Sequence, residues 1–110
     1  MRWPTTKIVL LVDREDEVLE ILRTARRSTD YIPLQAKTGN EALAVLSRLK
    51  SPIDLAIIDL EFPNDDGVVI SLLTTLGHRK TTKIIVKTSR HDKPFLESVN
   101  YFGIDAMLSF

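Results

Sequence analysis

A doubly wound α/β domain, with a parallel sheet between layers of helices, is the fold class this sequence predicts, and three observations carry that reading. Apolar runs of strand length recur at Lys7–Val12, 54–59 and 82–88, continuous rather than alternating, as strands buried on both faces must be. Stretches with helical apolar spacing separate them. The intervals between successive runs leave room for right-handed crossovers.

The elements follow in order. Lys7–Val12 opens as a buried strand. Over 15–27, Val18, Ile21, Leu22 and Ala25 fall at i, i+3, i+4 and i+7, so they predict one buried helical stripe. Glu15, Asp16 and Glu17 lead that helix and Arg23, Arg26 and Arg27 close it, matching the macrodipole. Tyr31–Ala36 is a short strand whose Pro33 places it at a sheet edge. Thr38-Gly39-Asn40-Glu41 then opens a helix with Ala42, Val45, Leu46 and Leu49 as its stripe, and Ser51-Pro52 stops it. The strand 54–59 leads to a helix over 67–76, with Gly77 as its C-terminal cap. After the strand 82–88, Pro94 suits the first turn of a helix over 94–102 that Gly103 ends, and 106–108 is a fifth strand.

Composition narrows the function. The chain has 110 residues, which suits a single domain over 1–110. Fifteen basic residues balance fifteen acidic ones, so no global field favours nucleic acid or an anionic membrane. With no cysteine, disulfides, zinc-thiolate sites and thiol nucleophiles are excluded. The N-terminus lacks an apolar signal core and no apolar run approaches the roughly twenty residues of a membrane span, which together point to the cytoplasm.

The chemistry gathers at strand tips. Asp59 ends the run Leu55-Ala56-Ile57-Ile58 and precedes the turn Pro63-Asn64-Asp65-Asp66-Gly67. Lys7–Val12 ends in Asp13, and Ile84-Ile85-Val86-Lys87 ends in Thr88-Ser89. If the three strands are parallel neighbours, two carboxylates and a hydroxyl converge on the carboxyl edge of the sheet, where open α/β sheets bind ligands. Such a set suits a divalent cation and an oxyanion. A dinucleotide site is excluded by the absence of glycine from Asp13-Arg14-Glu15-Asp16, and those acidic residues would repel a flavin phosphate.

In this order and spacing, Val9-Leu10-Leu11-Val12-Asp13, the stretch from Asp54 to Asp59 with its Pro63-to-Gly67 turn, Ile85-Val86-Lys87-Thr88-Ser89 and Gly103-Ile104-Asp105-Ala106 resemble the receiver domain of bacterial two-component response regulators. The resemblance covers 7–110. It implies a flavodoxin-like sheet of order 2-1-3-4-5, with the first helix on one face and the others opposite, and a phosphorelay signalling function rather than an enzyme. Asp59 becomes the implied phosphoacceptor from a histidine kinase or phosphotransfer protein. Asp13, Asp59 and the backbone carbonyl of Glu61 become the implied Mg²⁺ ligands, and Thr88 the hydroxyl that senses the phosphoryl group.

Two departures make it an atypical receiver. Arg14 stands where the family has its second acidic ligand. Two unit charges at about 4 Å interact by roughly 4 kcal/mol at an effective dielectric of 20, so the guanidinium is expected to weaken Mg²⁺ binding and to reach Asp59 or Asp13 as a built-in counter-ion. The family's lysine after the fifth strand is replaced by Phe110, and the terminal fifth helix does not follow. The expected consequences are an impaired phosphorelay receiver, or alternatively a phosphorylation-independent pseudo-receiver acting by protein contact. Self-association through the fourth helix and fifth strand is expected in either case.

Overall fold

The computed structural model describes residues 7–25, 31–60, 66–79, 81–89, 93–94, 96–97 and 103–109. Five parallel strands, β1 (Lys7–Val12), β2 (Tyr31–Ala36), β3 (Leu55–Asp59), β4 (Lys83–Thr88) and β5 (Ala106–Ser109), lie in the order β2-β1-β3-β4-β5. Among the described residues three helices, α1 (Glu17–Ala25), α2 (Gly39–Arg48) and α3 (Asp66–Gly77), connect the first four strands. Lys93, Pro94, Leu96 and Glu97 are helical, inside the helix expected over 94–102, and the rest of that span lies outside the described residues. No helix among the described residues is long and apolar enough to cross a membrane.

Strand alternation divides the core by face. Leu10 and Val12 of β1, Ala56 and Ile58 of β3, and Ile84 and Val86 of β4 pack with Ala42 and Leu46 of α2 and with Val69, Leu72, Leu73 and Leu76 of α3. Val9 and Leu11 face the other way, onto Leu19, Val18 and Leu22 of α1, with Tyr31, Leu55 and Ile57 alongside. The helices thus lie as expected, α1 on one face and α2 and α3 on the other.

Three details of the expected helices change. In α1 the sheet-facing residues are Val18, Leu19 and Leu22, whereas Ile21 is 59% exposed. The stripe is rotated toward Leu19, and Ile21, two residues or roughly 200° further round, is carried off the sheet. The helix also begins later than residue 15. The Asp13 carboxylate accepts the Glu15 N–H at 2.9 Å and holds a bend, and Asp16 C=O accepts the first helical bond from Glu20 at 2.9 Å. At the far end of α3, Gly77 is the last helical residue rather than a left-handed cap: Arg79 N–H donates to Leu76 C=O at 3.0 Å and tightens the final turn. The left-handed glycine is Gly103, at φ 75°, where the chain turns into β5.

Helix α2 is set by local chemistry at both ends. Thr38 Oγ1 accepts the Glu41 N–H at 3.0 Å, while Glu41 Oε2 accepts the Lys37 N–H at 2.6 Å. The Arg79 guanidinium donates to Leu46 C=O at 2.8 Å and satisfies a carbonyl of the last turn. A Cβ on Gly39 would run into Val68 Cγ1, so glycine lets α2 approach α3 here.

The amino edge of the sheet is fastened by aspartates. Asp54 Oδ2 accepts the Ile8 N–H at 2.8 Å, and Asp54 itself bonds to β1 and β4 through its backbone. Asp105 Oδ2 accepts the Ile84 N–H at 2.8 Å, and its own N–H donates to Ile84 C=O at 2.8 Å. Each carboxylate satisfies the N–H of the second residue of a neighbouring strand, which would otherwise point into an unpaired edge.

Candidate acidic site at the carboxyl edge

At the opposite edge, alternation decides what meets what. Val9, Leu11 and then Asp13 share one parity in β1; Leu55, Ile57 and Asp59 share it in β3; Ile85 and Lys87 share it in β4, where the Asp59 and Lys87 Cα atoms are register partners. Asp13, Asp59 and Lys87 therefore stand on the α1 face, at the tips of three adjacent strands. Thr88, fully buried, has the parity of Val86 and faces the α2 and α3 side.

Asp13 is nearly sealed from solvent, with a side chain 4% exposed. Its two oxygens have separate partners: Oδ1 accepts the Glu15 N–H, and Oδ2 lies 3.2 Å from Lys87 Nζ. Lys87 is itself only 20% exposed along its side chain. Because β1 and β4 flank β3 at about 4.8 Å spacing, this ion pair spans the width of two inter-strand gaps and bridges the tip of β3, where Asp59 sits half-buried. The loop after β1 is braced from the other side. Gln35 Nε2 lies 3.2 Å from the backbone oxygens of Asp13 and Glu15 and 3.1 Å from Asp16 Oδ1, and Lys37 pairs with Asp16 at 3.6 Å.

The cation that reaches Asp13 is thus Lys87, whereas Arg14, expected to serve as the counter-ion, has an exposed side chain. Glu61, the turn 61–65 and Phe110 lie outside the described residues. Among the described residues no three acidic or histidine side chains cluster as metal ligands. Mg²⁺ asks for near-octahedral oxygen donors. With Oδ2 of Asp13 held by an ammonium and Oδ1 by an amide, and with Arg14 in place of a carboxylate, the side chains as arranged do not fit a divalent ion. Lys87 and Gln35 were not singled out in the sequence. The available signal for Lys87 was a charge in an otherwise apolar strand, two residues beyond Ile85 and so on the same face.

Comparison with known proteins gives the family and the fold. Residues 9–109 match the response regulator receiver domain. The chain belongs to that family. It is 31% identical to the transcriptional regulatory protein ResD of Bacillus subtilis over 77% of this chain and 34% of that protein. To the regulatory protein VanR of Enterococcus faecium it is 34% identical over 74% of this chain and 34% of that one. The chain thus spans about a third of the length of these curated relatives. Among solved structures, a CheY-like receiver domain protein from Methanospirillum hungatei superposes with a TM-score of 0.75 at 24% identity, covering 96% of this chain and 82% of that one. A Burkholderia pseudomallei response regulator solved with a phosphorylated aspartate, a calcium ion and citrate gives 0.72 at 23% identity, covering 94% and 59%. At these identities the likeness is one of fold, and it establishes the flavodoxin-like receiver architecture for this two-component domain.

Proposed function

We propose that Asp59 of this receiver accepts a phosphoryl group from the phosphohistidine of a histidine kinase or phosphotransfer protein in the cytoplasm, with impaired metal dependence. The observation that supports this reading is the position of Asp59, half-buried at the tip of the central strand with Asp13 and Lys87 delivered to the same face by its two neighbours. In the transfer, a carboxylate oxygen of Asp59 forms the new O–P bond as the donor's P–N bond breaks. The bonding pair leaves on the imidazole nitrogen, which takes a proton from solvent. Asp13 and Lys87 fix the charge around the nucleophile. A carboxylate beside Asp59 opposes the approach of a phosphoryl anion, and the ammonium offsets it.

The second reading is a pseudo-receiver that signals by contact alone. It is favoured by one feature, the occupation of Asp13 by Lys87 with Arg14 beside it. In both readings the open edge strand β5, where Leu108 is 54% exposed, is a surface for self-association.

The experiment that separates the readings is incubation with a small acyl-phosphate donor, with and without Mg²⁺, followed by intact-mass measurement. A single-phosphoryl increase that disappears in Asp59→Ala supports the relay. No increase, while a conventional receiver is labelled in parallel, leaves the pseudo-receiver.

A further inference from the structure

We infer that Lys87 is a resident cation of the acidic site and competes with divalent ions for Asp13. The inference rests on reading Asp13 and Asp59 as one acidic site, but not on phosphoryl transfer. Metal binding is measured without a phosphodonor, so failure of one claim does not imply failure of the other.

The geometry has three parts. Lys87 comes from β4, on the far side of β3 from Asp13, and still lies 3.2 Å from Oδ2. An alkyl stem that crosses the sheet edge and is four-fifths covered is constrained by its surroundings, unlike a lysine waving in solvent. Second, the remaining oxygen of Asp13 accepts the Glu15 N–H at 2.9 Å, so both oxygens already have a partner that an ion must displace or share. Third, the next residue is Arg14, exposed, so position 14 supplies no second carboxylate to help extract the ammonium.

A divalent ion arriving at Oδ2 must therefore either displace Lys87 or sit beside it, and both oppose binding. In exchange, the ammonium offsets the charge of Asp13 when no ion is bound. Lysine suits this role because its compact charge sits on a flexible stem. The site then carries its counter-ion within the chain.

The test is Mn²⁺ titration read by electron paramagnetic resonance of the free ion, on the full chain. Lys87→Met keeps the stem and deletes the charge, and should tighten Mn²⁺ binding at least tenfold. Lys87→Arg keeps the charge and should leave binding weak. Adding Asp13→Asn to Lys87→Met should reverse the gain, which locates the ion at Asp13. A Lys87→Met protein that is folded by circular dichroism yet binds Mn²⁺ no more tightly than the unmodified chain overturns the inference. The unmodified protein provides an independent check that does not depend on any variant folding. In its amide spectrum, micromolar Mn²⁺ should leave the Asp13 and Leu60 resonances unbroadened, and selective broadening there at that concentration also overturns it.

Discussion

The two edges of the sheet use the same residue type for different ends. At the amino edge, Asp54 and Asp105 each accept the N–H of a neighbouring strand at 2.8 Å, and their ion pairs with Lys7 at 3.9 Å and Lys83 at 3.8 Å reach exposed ammonium groups. At the carboxyl edge, Asp13 is buried and is held by an amide of its own loop and by the mostly covered Lys87. The first pair closes the backbone ladder and is wetted by solvent. The second arranges charge around Asp59, in a region screened from water, where an electrostatic interaction is stronger. An aspartate near a strand end therefore says little until its edge, its parity and its cation are known.

The largest stability effect is expected at the carboxyl edge. Lys87→Met strands the Asp13 carboxylate, 4% exposed, and should lower unfolding free energy by about 2–3 kcal/mol in urea titration. A loss no larger than that of a surface substitution would erase the contrast between the edges.

Next in size are the aspartates of the amino edge. Asp54→Ala and Asp105→Ala each leave one strand N–H to be satisfied by water, and each should cost about 1 kcal/mol. They sit on opposite sides of β4, so the double variant should be additive within about 0.5 kcal/mol. Neither substitution should change phosphoryl incorporation at Asp59, because both lie at the other end of the strands.

The smallest effect belongs to the surface cations. Lys7→Ala breaks a 3.9 Å pair whose side chains are 61% and 37% exposed, and should shift stability by less than about 0.5 kcal/mol. A loss comparable with that of Lys87→Met would show that exposure does not separate the two edges.

The sequence foretold the layers better than the contacts. Continuous apolar runs marked β1, β3 and β4, and helical spacing marked the helices between strands, since those patterns report burial directly. Ile21 was misplaced because a stripe of four apolar positions fits two neighbouring orientations, and only the packing of Leu19 against Val9 and Leu11 selects one. At the candidate site, the placement of Asp13 and Asp59 at neighbouring strand tips was legible from the apolar runs that precede them. Lys87 was not, because its role depends on β4 and β1 lying on either side of β3 and on the parity of each strand end. Arg14 drew attention by standing next to Asp13 in the chain. Its side chain is exposed in the bend after β1, however, and Lys87 is the cation that lies against the Asp13 carboxylate.

The central claim is that Asp13 and Lys87 form an energetically coupled pair across the tip of β3, unlike the ion pairs of the amino edge. It is tested most directly by two double-mutant cycles measured side by side, Asp13→Asn with Lys87→Met and Asp54→Asn with Lys7→Met. The predicted coupling is about 1–3 kcal/mol for the first pair and no more than about 0.5 kcal/mol for the second. Equal couplings, or additivity within about 0.3 kcal/mol for Asp13 and Lys87, would contradict the account.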